Sequence, residues 1–190
     1  MSRFMAIPVS LSCLLVASCI PPPEPEASPP EVVTLTIQAS VTAVNPVTHL
    51  PETLSGTVGG DWTGTYSEQI LQTFFDDAGN LTGATSLSHF TFDPPHEGTI
   101  SSYNFAESVT PILQLDANQQ PVLDGQGNPI VIGLRTSATG SLFDGTETLA
   151  GVFGNLQTQT ELSFTGGERG LGQVTSSVSL LTTRTDADAD

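Results

Sequence analysis

One stretch alternates without a break. Val33, Leu35, Ile37, Ala39, Val41 and Ala43 fall on one side, and Thr34, Thr36, Gln38, Ser40 and Thr42 on the other. Only an extended chain gathers residues of period two onto one apolar face; a helix would scatter them around its axis. Residues 33–43 are therefore expected to form a half-buried strand. Further strands are expected at residues 54–60, 62–75, 81–92, 98–108, 130–140, 149–164 and 174–183. Breaks rich in Gly, Pro, Asn and Asp separate them: Asn45-Pro46, residues 76–80, Pro94-Pro95, Asp144-Gly145 and Gly166-Gly167. No stretch keeps a helical period. Long neighbouring strands joined by short turns favour closure, because a closed barrel leaves no unpaired edge. The expected fold is all-β: a single antiparallel up-and-down β-barrel of about eight strands, occupying residues 32–184.

Residues 115–131 break this rhythm with a small repeat, LDANQQPVL followed by LDGQGNPIV. Each unit is a polar turn between short apolar runs, and Pro121 and Pro129 keep both at an edge. The segment reads as an excursion from the sheet, built around a turn at Asp124-Gly125. A Ca²⁺ loop from Asp116, Asn118, Asp124 and Asn128 is the sharper alternative, but it lacks a closing bidentate Glu and the EF-hand spacing.

Ahead of the barrel lie two segments of different character. Residues 1–18 carry one early positive charge, Arg3, and then an apolar run too short to span a bilayer, the layout of a secretory signal peptide. Residues 19–31 are a Pro-rich acidic run that should stay extended as a spacer. Val16-Ala17-Ser18-Cys19 resembles the lipobox of bacterial lipoproteins, in which the Cys is acylated and becomes the new N-terminus. Cys13 is the rival, but the Ser10-Leu11-Ser12 ahead of it fits the box worse. The resemblance implies a cell-envelope protein held to a membrane through Cys19. Ile20 at the next position, in place of Asp, implies export to the outer membrane, facing periplasm or exterior. The acidic tail, residues 185–190, reads as disordered and solvated.

Composition then removes whole classes of chemistry. Once the signal is cleaved and Cys19 modified, no thiol is left for a disulfide, a Cys-ligated metal or a nucleophile. The chain has no Lys, which excludes Schiff-base chemistry. Without Arg3, three cations (Arg135, Arg169, Arg184) stand against 20 acids, a net charge of −17. Such a surface repels nucleic acid and anionic headgroups. There is no Gly-x-Ser-x-Gly elbow and no phosphate-binding loop. No cofactor and no metal site is expected.

Gly60-Asp61-Trp62-Thr63-Gly64-Thr65-Tyr66 and residues 138–154 (ATGSLFDGTETLAGVFG) resemble an early strand and a late hairpin of bacterial secreted barrels related to allene oxide cyclase and dirigent proteins. The usual late pattern there is closer to GGTGRFAGATG; here Glu147-Thr148-Leu149-Ala150 replaces its Arg-Phe-Ala element. The resemblance implies an eight-stranded barrel with an apolar cavity, commonly a homotrimer, and carries no catalytic positions over. Gly60-Asp61-Trp62 is also similar to the lipocalin signature, a Trp closing the barrel floor beneath a late Arg such as Arg184. A whole strand precedes Trp62 here, where lipocalins begin.

The candidate cavity residues follow from strand position. Trp62, Tyr66 and Ile70 share a face with Gly64 and Glu68. If that face points inward it sets one acid, Glu68, in the cavity wall, offset by Arg135; if outward, it covers a subunit contact. Arg135 has Glu161 as its other candidate partner, or an anionic ligand head. His89 is the only His inside a strand, while His49 and His96 sit beside prolines in loops. Phe74, Phe90, Phe92, Tyr103 and Phe105 read as core or cavity wall. Two functions remain: a tethered barrel that binds a small apolar ligand or a partner protein, or an isomerase or cyclase of the allene-oxide-cyclase kind. A filled core would leave only a structural or adhesive lipoprotein.

Overall fold

The computed structural model describes residues 29–165 and 171–184. The signal peptide, Cys19, the spacer up to Ser28, the Gly166-Gly167 turn and the acidic tail lie outside the described residues. Within them the chain runs β1 (Glu31–Val44), β2 (Pro51–Gly60), β3 (Gly64–Phe75), β4 (Leu81–Phe92), β5 (Gly98–Leu113), β6 (Val131–Phe143), a 3₁₀ turn (Glu147–Leu149), β7 (Val152–Phe164) and β8 (Gly172–Arg184). Each strand pairs antiparallel with the next, and β1 pairs with β8, closing the barrel. The β1 alternation appears as expected, with Val33, Leu35, Ile37, Ala39 and Val41 buried.

Up-and-down order gives the barrel two unlike ends. The chain enters β1 and leaves β8 at one end, the proximal end, beside the β2–β3, β4–β5 and β6–β7 connections. Connections β1–β2, β3–β4, β5–β6 and β7–β8 lie at the distal end. The proximal half is filled. Leu35, Ile100, Leu180 and Phe90 are buried to 1% exposure or less. Trp62, in the β2–β3 connection, packs edge-on against Phe92 (5.1 Å) and stacks on His96 (4.8 Å). Leu149 is buried from the 3₁₀ turn. In the distal half the inward positions of β4 to β6 are small: Ala84, Ser86, Ala106, Thr136 and Ala138. An eight-stranded barrel is just wide enough for side chains to fill, so a belt of small residues leaves a void.

Two bulges decide which side chains face that void. The β3–β4 register slips between Ile70 and Gln72, and the β5–β6 register slips between Ala106 and Ser108. Each extra residue switches the strand's faces. Thus Ile70 and Thr73 both line the interior, as do Ala106 and Val109. Phe74, read as core, lies instead on the outer surface over Gly83, where its ring meets Phe105 at 6.1 Å.

The repeat between β5 and β6 is an excursion, as expected, tied together by the bridges Leu115–Pro121 and Leu123–Pro129. The turn expected at Asp124-Gly125 is present, closed by Gly127 in the left-handed region (φ 88°), and the paired turn has Gln119 there (φ 62°). Asp116 Oδ1 accepts from the amides of Asn118 and Gln120, and Asp124 Oδ1 from those of Gln126 and Asn128. The β3–β4 turn repeats the device, with Asp76 Oδ1 accepting from Ala78 and Asn80 and Gly79 at φ 81°. Each carboxylate is occupied by its own backbone. Among the described residues no three His, Cys, Asp or Glu side chains gather to hold a metal ion.

Candidate ligand pocket

The distal void is a cavity of about 130 Å³ that reaches the rim at Leu50, Pro51, Thr73, Leu81 and Val109. For scale, an apolar cavity of about 150 Å³ accommodates benzene. Most of the wall is aliphatic, from Ile37, Leu54, Leu134, Leu156, Leu162 and Val174. Thr136, Thr158, Thr160 and Ser176 add hydroxyls from β6, β7 and β8, and one sector, carried by adjacent strands β3, β4 and β5, gathers Tyr66, Glu68, Ser86, Ser88 and Asn104. These side chains come together because Glu68 pairs with Ser88 across β3–β4, and Ser86 with Asn104 across β4–β5.

The sector is one connected network. Tyr66 donates its phenol proton to Glu68 Oε2 at 2.5 Å, and the Ser86 hydroxyl lies beside the same carboxylate. Asn104 Nδ2 donates to Ser86 Oγ (3.2 Å) and Ser88 Oγ (2.8 Å), while Ser102 Oγ donates to Asn104 Oδ1 (2.8 Å). Because the Tyr66 proton is committed to Glu68, the 3.3 Å contact between Tyr66 and Ser88 has Ser88 as donor. One chain therefore runs from Asn104 through Ser88 and Tyr66 to Glu68, and a branch from Asn104 reaches Ser86 beside it. Gly140 makes room for Asn104; a Cβ there would overlap Asn104 Oδ1 and Leu156 Cδ2. No buried side-chain polar atom among the described residues lacks a partner.

Burial raises the Glu68 carboxyl above its ordinary value, and the hydrogen bonds from Ser86 and Tyr66 only partly offset this. Burial also pushes the Tyr66 phenol well up, and the neighbouring Glu68 charge adds to the rise. Glu68 is the only charged side chain lining the cavity among the described residues.

Of the expected cavity residues, Tyr66 and Glu68 line it, and the shared face of β3 points inward. Trp62 is interior but sits below the cavity, in the proximal floor, linked to it through Phe92, Phe90 and Tyr66. The other three face outward. Arg135 does not offset Glu68; it pairs with Glu161 at 3.0 Å on the exterior, with side-chain exposures of 66% and 49%. Tyr103 is 49% exposed and Phe105 47%, because their neighbours Ser102 and Asn104 take the inward positions of β5. His89 is exposed between inward Ser88 and Phe90, with Nδ1 2.8 Å from Ser101 Oγ. Ser86, Ser88, Ser102 and Asn104 went unrecognised in the sequence. The available signal was their place on the inward parity of β4 and β5, visible only once Phe90 and Ile100 are known to be core.

The chain is an all-β protein, a closed eight-stranded antiparallel barrel with an acid-lined distal cavity. Comparison of the chain with protein-family models, with curated proteins and with solved structures returned no match.

Proposed function

We propose that this protein is a lipid-anchored barrel of the bacterial outer membrane that binds a small, largely apolar molecule in its distal cavity. The observation that carries the reading is a hydrogen-bond chain from Asn104 through Ser88 and Tyr66 that ends on Glu68, the one charged side chain among the described residues lining a mostly aliphatic void. A barrel selected only for stability would fill that space, since each unfilled methyl-sized void costs about 1 kcal/mol. The lipobox at Val16–Cys19 supports the anchor. The spacer joins β1 at the proximal end, so the mouth opens away from the tethered end.

The test is native mass spectrometry of protein purified from its own membrane, alongside an Ala106→Phe variant that fills the cavity. A bound small molecule in the parent and none in the folded variant is the expected result. An empty parent that also binds no apolar probe would refute the reading. A second reading, an isomerase or cyclase, rests on the Tyr66–Glu68 pair, since an acid with a raised pKa beside a phenol can move protons in an apolar site. The binding reading is favoured because the hydroxyl protons of Tyr66, Ser88 and Ser102 are all committed within the network.

A further inference from the structure

Glu68 stands in a mostly apolar cavity with Tyr66 donating to it and no cation among the described residues that line it. Arg135, the counter-charge expected for it, points out of the barrel to Glu161. The hydrogen bond that this half-buried carboxylate accepts from Tyr66 favours its ionised form, against the cost of burial. The Asn104 amide protons run to Ser86 and Ser88, on the Glu68 side of the cavity. What the site lacks is a positive charge.

We propose that the cavity takes a small apolar molecule bearing a protonated amine, whose ammonium pairs with Glu68 while its hydrocarbon part fills the aliphatic wall. This rests on the cavity being a binding site. The chemistry around the acid fits such a guest. Tyr66 and Phe90 present aromatic rings to the cavity, surfaces that attract cations. Across the void, Thr160 and Ser176 hydrogen-bond each other at 2.7 Å and keep oxygen lone pairs for the remaining ammonium protons. A chain of formal net charge −16 draws cations toward itself and repels carboxylates. The only other titratable side chain lining the cavity among the described residues is Tyr66, which stays protonated as the donor to Glu68.

The experiment is calorimetric titration of the folded protein with three probes of one size and different charge: benzylamine, benzyl alcohol and benzoate. Benzylamine should bind at least about tenfold more tightly than benzyl alcohol, the effect of roughly 1.4 kcal/mol from one desolvated charge pair, and benzoate weakest. In Glu68→Gln the amine should lose its advantage over the alcohol. Alcohol or benzoate binding as tightly as the amine in the parent protein would overturn the amine assignment and leave the pocket standing. Binding of none of the three, with no difference from Ala106→Phe, would overturn the pocket itself. Equal loss of amine and alcohol binding in Glu68→Gln would show that the carboxylate shapes the cavity without selecting charge, and would also overturn the assignment.

Discussion

The Tyr66 phenol and the Glu68 carboxylate lie two residues apart on one inward face of β3, joined by a 2.5 Å hydrogen bond. Residues i and i+2 of a strand share a face, so the pair needs no long-range contact to meet; it needs the barrel only to turn that face inward. Once inside, the acid is desolvated with one donor and no cation among the described residues that line the cavity, a cost to stability.

That cost has a pH signature. Burial holds the Glu68 value above that of the unfolded chain, so its stabilising contribution is complete below the unfolded value and is lost as pH rises through the folded one. Asp76, Asp116 and Asp124 run oppositely. Hydrogen bonds from Asn80, Gln120 and Asn128 respectively lead in lowering them, so their contribution is present above the ordinary Asp value and lost on acidification. Glu68→Gln should therefore raise Tm at about pH 8, by some 2–4 °C for each kcal/mol recovered, and leave it nearly unchanged at about pH 4. Thermal melts at the two pH values check this; a lower Tm at the higher pH would show that the hydrogen bonds outweigh desolvation.

Gly140 should be intolerant of a side chain. Gly140→Ala pushes against Asn104 and Leu156 and unseats the amide from which the chain to Glu68 starts. Urea melts are expected to show a loss of about 1–3 kcal/mol, the usual cost of overpacking. Gly59→Ala is the control, because a Cβ there meets nothing within 4 Å; it should be neutral to slightly stabilising, within about 1 kcal/mol.

Removal of residues 116–127 should leave a cooperatively folding barrel. The excursion's hydrogen bonds run within itself and to Gln114 and Ile130 at its base, and its carboxylates cap only their own turns. Circular dichroism melts of the deletion are expected to keep a single transition. A broad, non-cooperative melt would show that the arm supports the β5–β6 pairing.

Cys19→Ala should move the protein from the membrane to the soluble fraction, since stable anchoring requires acyl chains that only the Cys can carry. Fractionation with intact-mass measurement checks it. A membrane-bound variant, together with an unmodified parent mass, would eliminate the lipid anchor.

Strand content was legible in the sequence because it is local. The alternation of residues 33–43 needs only the two-residue pleat to be read, and 81–92, predicted as a strand, is β4 to the residue. Turn sites were legible for the same reason: Gly, Asn and Asp act on their own backbone. The inward face of β3 was one of two alternatives at that level, and closure to a barrel followed only from the need to hide edges. The direction of individual side chains was decided by tertiary structure. On β5 the aromatic residues Tyr103 and Phe105 face out while Ser102 and Asn104 face in, the reverse of what hydrophobicity favours, because the inward side completes a polar network drawn from β3 and β4. Arg135 chose Glu161 over Glu68 because register places Arg135 directly opposite Glu161 across β6–β7, on the outer face. Each bulge reverses parity for the rest of its strand, and register between distant strands is a property of the closed sheet, absent from any window of the chain.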